Sequence, residues 1–169
     1  MTAAPHTGSI VESPPSRSWL CADEDATAAL AAQLARQPAL RGAYLTLHGN
    51  LGAGKTTLVR HLLRALGITG RIKSPTYAVV EPHEAPDGLA IWHFDFYRFD
   101  DPREWEDAGF RDIFASPGLK LAEWPDKAAG LAPPADLQIA LEALGDTERR
   151  ITLTAGTALG RGLLAELAA

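Results

Sequence analysis

Gly49-Asn50-Leu51-Gly52-Ala53-Gly54-Lys55-Thr56 fits the pattern G-x-x-x-x-G-K-[ST], and the sequence on either side decides what it means. Before it, residues 43–47 form an apolar and β-branched run that ends in His48-Gly49, as a strand that stops abruptly would. After it, Leu58, Val59, Leu62, Leu63 and Leu66 recur at helical spacing over residues 55–66, and Gly67 supplies a stop. Strand, glycine-rich loop and helix in that order bring backbone N–H groups together around a phosphate. At average residue usage the four fixed positions match by accident on the order of one time in a hundred.

Each residue type has a chemical reason. Gly49, Gly52 and Gly54 permit backbone angles and close approach that a Cβ would block. Lys55 brings a mobile ammonium to the β and γ phosphates, and the Thr56 hydroxyl suits Mg²⁺. Asn50, Leu51, Ala53 and Thr57 complete the expected binding loop.

A phosphate-bound Mg²⁺ needs carboxylates, and two strand ends offer them. Residues 91–95 are apolar-rich and end in Asp95; residues 119–123 end in Glu123. Ligands of open α/β sheets collect at the carboxyl ends of strands, where either acid could meet Thr56 and a metal or orient an attacking water. Sequence does not rank the two. Ser74-Pro75-Thr76 is a stiffened, hydroxyl-rich turn in which Thr76 could sense a γ-phosphate. His48 and His93 read as strand or core histidines and receive no role.

The rest of the chain frames this loop. Its 169 residues carry a formal charge of −5, and 46% are apolar, as in one soluble domain. Such a chain buries roughly two-thirds of its unfolded surface without staples. The lone Cys21 cannot pair within the chain, and no export signal or membrane span is evident, so a cytoplasmic location is expected. Residues 26–80 hold seven bases and no acid, which favours an anion. Residues 81–126 hold twelve acids, four bases and nine of the twelve aromatics, which favours a cation or a basic partner.

Residues 1–17 read as a mobile tail and 18–169 as the nucleotide-binding domain. Strands are expected over 18–22, 43–47, 76–81, 90–97, 120–124, 136–142 and 150–154, and helices over 27–37, 55–66 and 102–108. The pairs 76–81 with 90–97 and 136–142 with 150–154 should form hairpins. The fold class is α/β: a three-layer P-loop NTPase-like fold with a mixed sheet of about seven strands.

No N-K-x-D or T-K-x-D element is present to read guanine, so ATP is favoured. Basic residues are sparse after Lys73, which weakens a small-molecule kinase without removing that alternative. A nucleotide-gated binding module is a third possibility.

The motif set as a whole resembles a known family. Gly-Asn-Leu-Gly-Ala-Gly-Lys-Thr-Thr (49–57), Lys-Ser-Pro-Thr-Tyr (73–77), His-Phe-Asp-Phe-Tyr-Arg (93–98) and Glu-Trp-Pro (123–125), in that order, look like the TsaE (YjeE) family. The resemblance runs from about residue 23 to 125, and Phe96 and Phe99 depart from it where leucines are common. It implies an ATPase subunit needed to form threonylcarbamoyladenosine beside the anticodon of tRNAs reading codons that begin with A. It also implies the TsaD and TsaB subunits as partners, with tRNA met only through that complex. By motif, Lys55 and the amides of residues 52–57 bind phosphates, Thr56 and Glu123 ligate Mg²⁺, and Asp95 takes the Walker B-like position. Lys55, Asp95 and Glu123 are the catalytic candidates. Thr76 falls in the switch-like segment, Trp124 adjoins the site, and Thr27 approaches the nucleotide. With no evident arginine finger, hydrolysis by the lone domain should be slow and accelerated by a partner.

Overall fold

Seven strands form one mixed sheet: β1 (Ser16–Cys21), β2 (Tyr44–His48), β3 (Val80–Glu84), β4 (Ala90–Asp95), β5 (Leu119–Glu123), β6 (Leu137–Ala143) and β7 (Arg149–Ala155). Their order is β1-β7-β6-β2-β5-β4-β3. The computed structural model describes residues 12–168, so most of the expected tail, residues 1–11, lies outside the described residues. Strand β2 pairs in parallel with both β5 and β6, and β4 in parallel with β5. The pairs β3–β4, β6–β7 and β1–β7 are antiparallel, so both expected hairpins form. All five residues of β5 are buried, Lys120 and Glu123 included, as the covered faces of a central parallel strand require.

Helices α1 (Glu24–Ala35), α2 (Lys55–Ala65) and α5 (Ala158–Ala165) share a core with one face of the sheet. Asp23 caps α1 by accepting a hydrogen bond from the Ala26 amide at 2.9 Å, which satisfies one of the orphan donors of the first turn. Leu30 and Leu34 of α1 and Leu62 and Leu63 of α2 meet Leu45, Leu121 and Ile139 of the sheet. Helices α3 (Arg103–Asp107) and α4 (Phe110–Ala115) belong to a second core, in which Phe94, Phe96, Phe99, Trp105 and Phe110 gather around Tyr44 and Ala122. Phe94 stacks on Phe96 at 5.2 Å and meets the Phe110 ring edge-on at 5.4 Å. Much of the aromatic content of residues 92–124 is therefore interior, while Glu104, Glu106 and Asp107 between those rings are exposed.

Several expectations need correction. Ser16 and Arg17, expected in the tail, belong to β1 and pair with β7, and β4 ends at Asp95 rather than at residue 97. Strand β3 begins at Val80 rather than at residue 76, because residues 76–79 turn: Ala78 donates to the Pro75 carbonyl at 2.8 Å, and Thr76 and Val79 both have positive φ. Two helices were not anticipated. Helix α4 is preceded by Gly109, whose φ of 73° sets a left-handed turn behind α3. Helix α5 contains Gly160 and Gly162, poor helix formers by propensity, but at Gly160 a Cβ would collide with the Asp136 carbonyl. The glycine lets α5 pack tightly beside the start of β6.

The parallel strands end together. Leu47 of β2 and Asp95 of β4 are both register partners of Glu123 on β5, so the loop after β2 emerges beside Glu123, with Asp95 one strand further along the same edge.

Candidate functional site

At the first turn of the loop, a Cβ on Gly49 would stand 2.7 Å from the Leu141 carbonyl oxygen of β6, inside van der Waals contact. Only glycine turns here. Gly54 caps α2 in the left-handed region with φ of 105°, and no side chain bonds to the helix end. The N–H groups of Lys55, Thr56 and Thr57 consequently lack intrahelical acceptors, and the positive end of the helix dipole lies beside them. These residues line a cavity of about 420 Å³ with Leu51, Gly52, Ser74, Thr76, Asp95, Tyr97, Arg98, Glu123, Trp124 and Arg149.

Lys55 is 5% exposed. Its ammonium donates to the carbonyls of Gly49 at 2.5 Å and Asn50 at 3.1 Å, which keeps the loop arched. The Trp124 ring lies 4.2 Å away, within cation–π range. Burial pulls the lysine below its ordinary pKa, and the charges of Glu123 and Asp95 oppose that shift. Trp124 reaches this position from a left-handed backbone conformation, φ 54°, at the start of a short 3-10 turn, with Tyr97 packed on it at 5.1 Å.

The two carboxylates do different things. Thr56 Oγ1 donates to Glu123 Oε1 at 2.8 Å, and His93 Nε2 lies 2.6 Å from Glu123 Oε2. Asp95 receives Ser74 Oγ on one oxygen and the Tyr97 amide on the other at 3.0 Å. Glu123 is thus the acid joined to Thr56, and Asp95 ties the 74–77 segment to the sheet. Thr76 lines the same cavity, its hydroxyl 3.5 Å from the Ser74 carbonyl. Thr27 stands further off. It lines a smaller cavity of about 170 Å³ that shares Gly54, Thr57 and Arg149 with the first and adds Asp146 and Thr147.

The donors fit Mg²⁺. Adjacent ligands of an octahedral ion at about 2.1 Å stand roughly 3 Å apart, close to the 2.8 Å between Thr56 Oγ1 and Glu123 Oε1. One carboxylate oxygen and one hydroxyl suit an ion that completes its shell with water and substrate oxygens.

A larger groove of about 680 Å³ lies between α3, α4 and residues 130–133. Its charges are satisfied locally, Arg103 by Asp101 at 2.9 Å and Arg111 by Glu106 at 3.6 Å. Lys55, Thr56, Asp95 and Glu123 converge instead on the loop cavity.

Residues 21–151 match the model of the family described as threonylcarbamoyl adenosine biosynthesis protein TsaE. The chain belongs to the TsaE family. It is 44% identical over 118 residues to the tRNA threonylcarbamoyladenosine biosynthesis protein TsaE of Haemophilus influenzae, covering 70% of this chain and 73% of that one. It is 39% identical over 138 residues to the protein of the same name from Bacillus subtilis, covering 81% and 84%. The crystal structure of Bacillus subtilis YdiB superimposes with a TM-score of 0.72 at 31% identity, over 92% of this chain and 95% of that one.

Against this TsaE framework, two arginines were missed. Arg98 and Arg149 both line the phosphate-loop cavity, whereas no arginine was expected there. Arg149 Nε donates to the Ala53 carbonyl at 3.0 Å, and its Nη1 binds the β6–β7 turn through the Gly145 carbonyl at 3.0 Å. Arg98 stacks its guanidinium 4.4 Å from the centre of the exposed Tyr77 ring. Arg98 lay inside a motif already noted. Arg149 sits far along the sequence, and only the sheet order brings β7 near the loop.

Proposed function

We propose that this chain is a Mg²⁺-dependent ATP hydrolase that serves the formation of threonylcarbamoyladenosine in tRNA, weak alone and stimulated by the TsaD–TsaB pair. Family membership supports the role in tRNA modification. One observation carries the nucleotide chemistry: an uncapped helix start, Lys55, and the Thr56–Glu123 pair converge on one cavity.

In this proposal the loop amides and Lys55 bind the phosphates and neutralise their charge. Thr56 and Glu123 hold Mg²⁺, which when bound supplies charge stabilisation to the transferring phosphoryl group. Asp95 holds Ser74 and so positions the switch-like segment, with Thr76, over the γ-phosphate side. Trp124 and Tyr97 shield Lys55 from water. Thr27 and Thr57 line the space where the nucleoside would extend.

Slow turnover alone follows from the two arginines. Arg98 is held on Tyr77 and Arg149 on the loop's outer carbonyl, so charge at the γ-phosphate awaits a partner that orders the switch or adds a cation. A cytoplasmic site of action fits this role. None of the described helices is long and apolar enough to cross a membrane.

Phosphate release with ATP and Mg²⁺ tests the proposal in three arms: the chain alone, with small hydroxylated acceptors, and with TsaB and TsaD. Slow release alone and marked stimulation by the pair is the expected result. Rapid turnover alone, or phosphoryl transfer to an acceptor, overturns it in favour of a kinase.

A further inference from the structure

We propose that His93 is a positioning residue for the metal site: it fixes the Glu123 carboxylate so that a single oxygen is presented beside the Thr56 hydroxyl. This rests on the Mg²⁺–nucleotide reading above.

A carboxylate has two acceptor oxygens, and here they are divided. Thr56 takes Oε1 at 2.8 Å and His93 takes Oε2 at 2.6 Å. Because the carboxylate only accepts, Nε2 is the donor. The position is closed to water: His93 is 0% and Glu123 2% exposed. The topology makes the pairing specific. Asp95 is the register partner of Glu123, and His93 stands two positions before it on β4, so His93 reaches Glu123 diagonally across one face of the sheet.

Packing alone does not account for a histidine here. Its Nδ1 is buried with no hydrogen-bond partner among the described residues, and a buried polar atom left unpaired costs stability. A leucine would fill an interior position on β4 without that cost. What the imidazole adds is a rigid donor aimed at Oε2. With it, the carboxylate rotamer is set before any ion arrives, and Glu123 engages a metal through one oxygen only. Outer partners that orient a metal ligand in this way typically change metal affinity by roughly 10–100-fold when removed.

The test uses the full chain and isothermal titration of ADP and of a non-hydrolysable ATP analogue over a series of Mg²⁺ concentrations. His93→Leu is expected to raise the Mg²⁺ midpoint about tenfold or more, with Mg²⁺-free nucleotide affinity unchanged. His93→Gln, which keeps an N–H within reach of Glu123, should recover most of the loss. In a Glu123→Ala background, His93→Leu should add nothing. An unchanged midpoint in His93→Leu, or an equal loss of Mg²⁺-free affinity, overturns the positioning role. Should His93→Leu not fold, His93→Gln against the shorter His93→Asn makes the same comparison, and equal midpoints overturn the role. A wild-type affinity indifferent to Mg²⁺ overturns the metal reading itself and this role with it. A Mg²⁺-dependent wild type with an unmoved His93→Leu midpoint overturns only the role of His93.

Discussion

Lys55 Nζ stands 4.2 Å from the centre of the Trp124 ring while bonded to the Gly49 and Asn50 carbonyls. The loop is therefore already arched, with its one lysine serving as a stand-in cross-brace. A triphosphate would draw that ammonium away from both carbonyls and from the ring. Exchange of neutral carbonyls for phosphate oxygens favours binding, because the ammonium then meets acceptors of opposite charge.

Lys55→Ala and Glu123→Ala should separate phosphate binding from metal binding. Loss of a charged hydrogen bond costs about 1.5–3 kcal/mol, which is roughly ten- to hundredfold in affinity. Lys55→Ala is expected to lose that much with or without Mg²⁺. Glu123→Ala should keep its Mg²⁺-free affinity and lose most of the gain that Mg²⁺ brings. Isothermal titration in both conditions checks this, and unchanged binding in both variants removes the assignment.

Nucleotide binding should be visible in the emission of Trp124. The ring lies against the lysine that must move and is partly exposed, so its surroundings change with the ligand. Trp105 belongs to the second core, Trp92 packs against it, and Trp19 packs against the other one. A change in fluorescence on adding nucleotide, abolished in Trp124→Phe, is expected. An undiminished change in that variant would place the response elsewhere.

The strand–loop–helix unit at residues 43–66 was legible because periodicity, glycine placement and the lysine all point one way. The two hairpins were legible from their short connections. Thr56, Glu123, Asp95, Thr76 and Trp124, drawn from four separate segments, do line one cavity. Other features depend on tertiary contact and left no local trace. Val79 is β-branched yet has positive φ, so propensity extended β3 too far toward residue 76. Helix α5 carries two glycines that local propensity penalises, one of them needed against Asp136. Arg149 and His93 gained roles only when the sheet order set them beside the loop and Glu123.

Phe94→Ala tests whether the aromatic, acidic segment is core. Phe94 is 0% exposed and contacts the rings of Phe96, Phe110 and Phe114. Truncation should cost about 3–5 kcal/mol, read as a lower denaturation midpoint in urea at an unchanged slope. A cost below about 1 kcal/mol would mean that the rings face a partner instead.

Stability should fall as pH drops below about 6.5. Burial first, then the neighbouring His93, lowers the His83 pKa, with Glu81 opposing; burial likewise lowers that of His48, helped by Lys55 and opposed by Asp126. Below the ordinary histidine value of 6.5 the unfolded chain takes up protons that the folded chain does not. The loss therefore begins there and levels off beneath the folded pKa values. His83→Gln should flatten part of this slope in thermal melts between pH 7 and 5. An unaltered slope would show that His83 titrates alike in both states.

Arg149 braces the phosphate loop from outside, with one guanidinium nitrogen on Ala53 and another on the β6–β7 turn. The side chain is only partly buried, so screening holds its worth to about 1 kcal/mol. Arg149→Ala is expected to weaken nucleotide binding roughly fivefold, because the loop must then be ordered at the moment of binding. Arg149→Lys should restore little of it, since an ammonium lacks the fork that spans both acceptors. Arg103→Ala, on an exposed side chain paired with Asp101, serves as the control and should leave affinity unchanged. Equal affinities for Arg149→Ala and Arg103→Ala in the same titration would show that the loop holds its shape without the brace.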